Sequence, residues 1–272
     1  MTCLSQPLRA VAFDLDDTLL RDDLSISDET VETLRRLNAS GVRILPASGR
    51  TQQSMKPFVE RIGCASLYIA CNGAEIWDAS HHLLRQETFS AETGREIARF
   101  GKAHGCYAQT YAGGCFYFNE HSSWSESYAA ASMLKGVCVG DLEAYIREPR
   151  TKILMMDAPE RVAQMLNEAR EQFRGRISVT CSKPWFLEFN AIRATKGIAL
   201  ETASELLGFA PEQVIAFGDG LNDLPMLQAA GWSVAMSNGR EELKQRCRSV
   251  CLSNQEDGVA RFLREAFQGV VF

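Results

Sequence analysis

Two apolar runs, far apart in the chain, each end abruptly in acids, and nothing else in the sequence restricts the possible folds so sharply. Residues 11–18 read Val-Ala-Phe-Asp-Leu-Asp-Asp-Thr, and residues 214–223 read Val-Ile-Ala-Phe-Gly-Asp-Gly-Leu-Asn-Asp. A buried strand end has no structural use for neighbouring charges, so carboxylates placed there point to a site. In an extended chain, residues two apart face the same side, which directs Asp14 and Asp16 toward one small volume. Anions held that close raise one another's pKa unless a cation intervenes. Mg²⁺ with a phosphate-bearing substrate would resolve the conflict, because hard cations take oxygen ligands. Asp14 is then a candidate nucleophile and Asp16 a candidate general acid and base. An acidic turn capping the next segment would use the same letters.

Around these runs the pattern alternates strand and helix. Residues 11–15 and 42–46 have strand character, and 67–71 form a third short apolar run closed by the turn pair Asn72-Gly73. Ser27 opens a helix with Asp28 and Glu29 in its first turn, and a second helix occupies about 51–62 despite Pro57. This β-α-β-α-β order predicts a parallel sheet covered by helices on both sides. From residue 84 the pattern changes to hairpin-like strand pairs mixed with helices, which suggests an α+β insert on an antiparallel sheet. The opening style returns near residue 191. The expected fold is α/β: a Rossmann-like, doubly wound core formed by 1–83 and 191–272, split by an inserted α+β cap at 84–190.

Bulk properties narrow the function. The formal net charge of −5 over 272 residues lacks the basic excess of a nucleic-acid surface. No stretch approaches the ~20 apolar residues of a membrane span, and the N-terminal residues lack the apolar core of a signal peptide. The nine cysteines, Cys3 among them, are scattered with no Cys-x-x-Cys pair. Neither a zinc site nor a disulfide framework is signalled, and a reducing cytoplasm is the expected setting. The four histidines lack ligand spacing and are assigned to no metal.

Further candidates lie at predicted strand ends or at helix starts, where open α/β sheets bind ligands. Ser48-Gly49-Arg50 offers a hydroxyl, a close-approach glycine and backbone N–H groups to a phosphate, although an ordinary helix N-cap looks the same. Lys196 sits at the start of a helix, the unfavourable end of the dipole for a cation, and so calls for a nearby anion. Asp219 is placed to ligate a metal, with Asp223 ligating through water or orienting it. Trp124, Trp185, Phe186 and Tyr111 are read chiefly as core of the insert, and Arg50 and Arg193 as arginines able to reach a substrate's far end.

In combination, Asp14-Leu-Asp16-Asp17-Thr18, Ser48-Gly49-Arg50, Lys196-Gly197 and Gly218-Asp219-Gly-Leu-Asn222-Asp223 resemble the four motifs of the haloacid-dehalogenase-like hydrolases. Asn72-Gly73-Ala74-Glu75-Ile76, residues 234–238 and Asp257-Gly258-Val259-Ala260 narrow the resemblance to the Cof-type class IIB phosphatases. That resemblance implies Mg²⁺-dependent hydrolysis of small phosphorylated metabolites beneath a large cap, by a monomer or homodimer. It implies Asp14 as nucleophile and Asp16 as acid and base, with its carbonyl on the metal. It places Ser48 and Lys196 on the phosphoryl oxygens, Asp219 and Asp223 at the metal, and Asn222 beside both. The presence of Asp16 speaks against a dehalogenase. A phosphomutase or phosphotransferase of the same superfamily is the nearest rival, followed by a non-catalytic phosphate-binding regulator.

Overall fold

The computed structural model describes residues 7–267, so Cys3 falls outside the described residues. The chain begins with β1 (Ala10–Phe13), α1 (Asp28–Ala39), β2 (Arg43–Pro46), α2 (Gln52–Ile62), β3 (Leu67–Ala70), β4 (Glu75–Asp78) and β5 (Leu83–Gln86). A middle section follows with α3 (Ala91–His104), β6 (Tyr107–Ala112), β7 (Cys115–Phe118), α4 (Ser123–Ser132), β8 (Lys135–Cys138) and α5 (Leu142–Tyr145). It closes with β9 (Lys152–Met156), α6 (Pro159–Gln172), β10 (Ile177–Thr180) and β11 (Phe186–Ala191). The last section holds α7 (Lys196–Leu207), β12 (Val214–Gly218), α8 (Leu224–Ala229), β13 (Trp232–Met236), α9 (Glu241–Lys244), β14 (Ser249–Cys251) and α10 (Gly258–Ala266).

Local chemistry accounts for the helix starts. Ser27, Ser90 and Thr195 each accept a backbone N–H from three residues on, satisfying one of the orphan donors of the first turn. Pro57 lies inside α2 without breaking it.

Strands β14-β13-β12-β1-β2 form a parallel sheet. Alternation along the strands divides its faces. Val11, Phe13, Ile215, Phe217, Val234 and Met236 pack under α1, α2 and α10. Ala10, Ala12, Leu45, Val214, Ala216 and Ala235 pack under α7, α8 and α9. With both faces covered, the central strands β1 and β12 are buried along their whole length, and their sequences are continuously apolar rather than alternating.

The third strand keeps the expected parallel direction, but through a short and interrupted ladder. β3 pairs antiparallel with β4 and meets β2 through a single parallel bridge, Ala47 to Ile69. The N–H groups of Ala47 and Ser48 point in opposite directions, the first to Phe13 and the second to Ile69. The position of Pro46 therefore faces β3, and proline has no N–H to give there. The ladder misses one rung at that point, but Ser66 N–H to the carbonyl of Ile44 (2.8 Å) and Ser48 N–H to that of Ile69 (2.9 Å) keep β3 beside β2, and its other edge takes the β4–β5 hairpin.

The middle section builds a six-stranded sheet in the order β10-β11-β9-β6-β7-β8, antiparallel except for the β7–β8 pair. One face carries Ile153, Met155, Leu187 and Phe189 against α3 and α6. The period of two sends Lys152, Leu154 and Met156 of β9, and Phe186 and Glu188 of β11, to the other face. That second face is turned toward the C-terminal ends of β1 and β12, where residues of both sheets line one cleft. The eight described cysteines are free thiols. No described helix is long and apolar enough to cross a membrane.

Between α8 and β13, a Cβ added to Gly231 would lie 1.9 Å from the carbonyl oxygen of Glu212, so the backbones there touch directly. Gly231→Ala should lower unfolding stability by about 1–3 kcal/mol through backbone displacement. A urea titration checks this, as a reduced midpoint with unchanged slope.

Candidate active site

The register of the parallel sheet assembles the site. Phe13 lies opposite both Phe217 and Pro46, so Asp14, Gly218-Asp219 and Ser48 leave three adjacent strands at one edge. Asp14 donates its backbone N–H to the carbonyl of Phe217, which holds the two acidic strand ends level. Lys196, at the first turn of α7, is fully buried and donates through Nζ to carboxylate oxygens of both Asp14 and Asp223. The anion that its position at the helix start demanded is therefore present twice.

Asp223 does more than pair with Lys196. Its other oxygen accepts the backbone N–H groups of Asp219 (3.1 Å) and Gly220 (3.0 Å), closing the loop after β12 into a fixed shape. A Cβ on Gly218 would come within 2.5 Å of Asp223, so only glycine permits this closure. Thr18 donates its hydroxyl to Asp219 Oδ1 at 2.8 Å and orients it. Ligand atoms of Asp14, Asp219 and Asp223 all lie within 4.8 Å of one another. Among the described residues, no other group of histidines, cysteines and acids converges in this way.

Asp16 behaves differently from Asp14. The strand stops at Phe13, yet Asp14 (ψ 161°) and Asp16 (ψ 131°) both keep extended backbone and both line the same cleft, before Asp17 turns into the left-handed region (φ 58°). The Asp16 carboxylate forms a two-pronged pair with Arg50, Nε to Oδ2 at 2.9 Å and Nη2 to Oδ1 at 2.7 Å. Arg50 also donates to Ser54 (3.0 Å) and to the carbonyl of Ala131 at the end of α4 (3.2 Å).

These surroundings set the proton affinities. Burial pushes the Asp14 carboxyl well above the usual range; Lys196 opposes that rise, and Asp223, Asp219 and Asp16 add to it. Burial, reinforced by Asp223, pushes Asp219 up to about 7. Burial alone would lower Lys196, but Asp14 and Asp223 overcome it and raise the ammonium above its ordinary value. For Asp16, burial is likewise outweighed, here by Arg50, and its carboxyl is held below the ordinary range. Three converging carboxylates share one lysine, so the cluster carries excess negative charge on hard oxygen donors. That donor set fits a small divalent cation.

The cleft of about 310 Å³ is lined on the strand-end side by Asp14, Asp16, Gly49, Arg50, Asp219 and Asn222. Ser48 and Lys196 are fully buried just behind them, with Asp223 almost so. Ser48 Oγ accepts the backbone N–H of Arg50 (3.1 Å). The opposite wall comes from α4 (Trp124, Tyr128), from Trp185 just before β11, and from the six-stranded sheet (Leu154, Met156 and Phe186, with Lys152 and Glu188 deeper). Tyr111 is buried in the sheet's core, whereas Trp124, Trp185 and Phe186 also reach the cleft wall. Arg193 stands outside the cleft, 3.8 Å from Glu87.

From the sequence Thr18, Lys152 and Glu188 have no individual role, and Asn72 is a turn residue that opens the Asn72–Ile76 motif of the Cof-type phosphatases. For Thr18 no local signal existed, since a hydroxyl after an acidic run suits any turn. A signal for Lys152 and Glu188 did exist: each is a charge set in an otherwise apolar strand.

The sequence profile of the haloacid dehalogenase-like hydrolases matches residues 11–263. Two similar proteins of Bacillus subtilis (strain 168) are the 5-amino-6-(5-phospho-D-ribitylamino)uracil phosphatases YcsE and YitU. YcsE is 29% identical over 259 residues, covering 94% of this chain and 95% of its own. YitU is 30% identical over 266 residues, covering 94% and 97%. The crystal structure of a haloacid dehalogenase-like hydrolase from Bacteroides thetaiotaomicron superposes with a TM-score of 0.86. It is 28% identical and covers 96% of this chain and all of its own. The match runs through both sheets and through every motif at the strand edge, and the chain belongs to the haloacid dehalogenase-like hydrolases as a phosphatase of that family.

Proposed function

We propose that this protein hydrolyses small phosphate monoesters, sugar phosphates or phosphorylated cofactors, with Mg²⁺ and through an aspartyl-phosphate on Asp14. The observation that carries the proposal is the buried Lys196 shared by Asp14 and Asp223, next to Asp219, at the floor of a cleft. Residues 1–83 and 191–272 act as the catalytic core and 84–190 as a cap that excludes water from the reacting centre.

Asp14 attacks phosphorus, the P–O bond to the alcohol breaks, and Asp16 gives that alkoxide a proton. Water then attacks the acyl phosphate, Asp16 takes its proton, and inorganic phosphate leaves with Asp14 restored. Asp16 enters the first step protonated and leaves it as the carboxylate, the form that the Arg50 pair stabilises and that then accepts the proton from water. Lys196 works against burial in favour of the Asp14 anion, and it faces the transferred phosphoryl group. Ser48, Gly49 and Asn222 hold phosphoryl oxygens at the strand edge. Asp14, Asp219 and the carbonyl of Asp16 would hold the cation, with Asp223 supporting Asp219. When bound, that cation supplies charge neutralisation for the acids and the phosphoryl oxygens.

Asp14→Asn should reduce phosphate release by roughly 10³-fold or more with the fold intact by circular dichroism. Unchanged turnover in that variant would remove Asp14 from the nucleophile's role. Asp16→Ala should slow an alkyl phosphate far more than p-nitrophenyl phosphate, whose leaving group needs no proton, and parallel rate measurements on the two esters test it. A proton competes with a cation for Asp219, whose metal-free carboxyl titrates near about 7. Mg²⁺ affinity should therefore rise with pH through about 7, and calorimetric titrations about one unit either side should differ by several-fold. EDTA should abolish turnover and added Mg²⁺ restore it.

A further inference from the structure

The mechanism above leaves one buried ion pair unused. Lys152 and Glu188, 4% and 2% exposed, pair on the cleft face of the six-stranded sheet. A buried pair of this kind is costly to desolvate, and a pair of well-packed apolar residues would often serve stability as well or better. Burial disfavours charge on Lys152, yet Glu188 holds the ammonium above its ordinary range. What distinguishes this pair is where its remaining valences go, because both cross to the other sheet.

Lys152 Nζ donates to the carbonyl of Gly49 at 3.1 Å, within the Ser48–Arg50 loop. Glu188 Oε2 accepts from Asn72 Nδ2 at 3.3 Å, and Asn72 Oδ1 accepts from Asn222 Nδ2, also at 3.3 Å. Asn72 is thus the middle of a buried chain running from the six-stranded sheet to the loop after β12. Its backbone is fixed as well. Asn72 has φ 57° and donates its N–H to the carbonyl of Ser48 at 3.0 Å, while Cys71 (φ 52°) donates to that of Arg50 at 2.8 Å. Two successive non-glycine residues in the left-handed region carry strain, which persists only where surroundings over-determine it. Gly49 leaves room for the side chain: a Cβ there would lie 3.0 Å from Asn72 Oδ1.

We infer that Asn72 is a positioning residue for the phosphate end of the site. It is aimed by the Lys152–Glu188 pair, and it fixes the direction in which Asn222 and the Ser48–Gly49 loop face. The Lys152–Glu188 pair thereby ties the seating of the six-stranded sheet to the geometry that receives the phosphoryl group. This rests on the proposal that Asn222 and Gly49 lie at the phosphate end, and the test separates the two.

Asn72→Gly keeps the left-handed turn and removes only the amide bridge. Its kcat should fall about tenfold and inhibition by inorganic phosphate should weaken about tenfold, with a melting temperature near that of the wild type. Glu188→Gln should show a smaller loss of the same kind. Its effect should vanish in the Asn72→Gly background, because Glu188 acts through Asn72. Wild-type kinetics in Asn72→Gly, or full additivity of the two substitutions, would overturn the inference. Absence of competitive inhibition by phosphate in the wild-type protein would instead defeat the placement of the phosphate end, and the inference with it.

Discussion

A fully buried lysine tolerates its position only because two carboxylates, from segments 182 and 27 residues away, meet its ammonium group. Much of the site follows from that contact. Losing either acid would leave an uncompensated buried charge, a change of about 3–5 kcal/mol in typical proteins. The same contact fixes Asp223, which then fixes the backbone of Asp219 and Gly220, which in turn aims Asp219 at Asp14. Stability and chemistry are therefore set by the same atoms. The conflict left over, too many carboxylates for one lysine, is the charge imbalance that the proposed cation would relieve.

The fold serves this cluster by register. Parallel pairing holds β1 level with both β2 and β12, so that motifs remote in sequence leave the sheet at one edge. The faces of the sheet are divided by side-chain size: large residues under α1, α2 and α10, alanines under α7 and α8. Alanines let α7 approach closely, and α7 is the helix that delivers Lys196. The six-stranded sheet obeys the same two-residue period with a different result. Its outer face is an ordinary helix-covered core, while its inner face mixes aromatic residues with Lys152 and Glu188 above the catalytic edge.

Much of this was legible in the residues. The acidic strand ends, the hydroxyl at Ser48 and the misplaced cation at Lys196 are local anomalies, each at odds with what its neighbours alone would favour. Such conflicts survive where function holds them. Element order also foretold a third parallel strand, and β3 does lie parallel beside β2 although Pro46 removes one rung; what the rhythm did not foretell is the antiparallel β4–β5 hairpin on its far edge. Period-two reasoning likewise brought Asp14 and Asp16 to one cleft, which both line; what it did not foretell is the pairing of Asp16 with Arg50.

The sequence by itself determined the alternation of elements, the faces that must be buried, and the few side chains whose charge or hydroxyl had no local purpose. These follow from periodicity and desolvation, which act over a handful of neighbours. Only the tertiary structure decided that Asp16 turns to Arg50, that Thr18 orients Asp219, and that Asn72 joins Glu188 to Asn222. Those are contacts between segments tens to hundreds of residues apart, where hydrogen-bond geometry is satisfied or lost within a fraction of an ångström. No local pattern encodes such a distance; it exists only once the sheets have paired and packed.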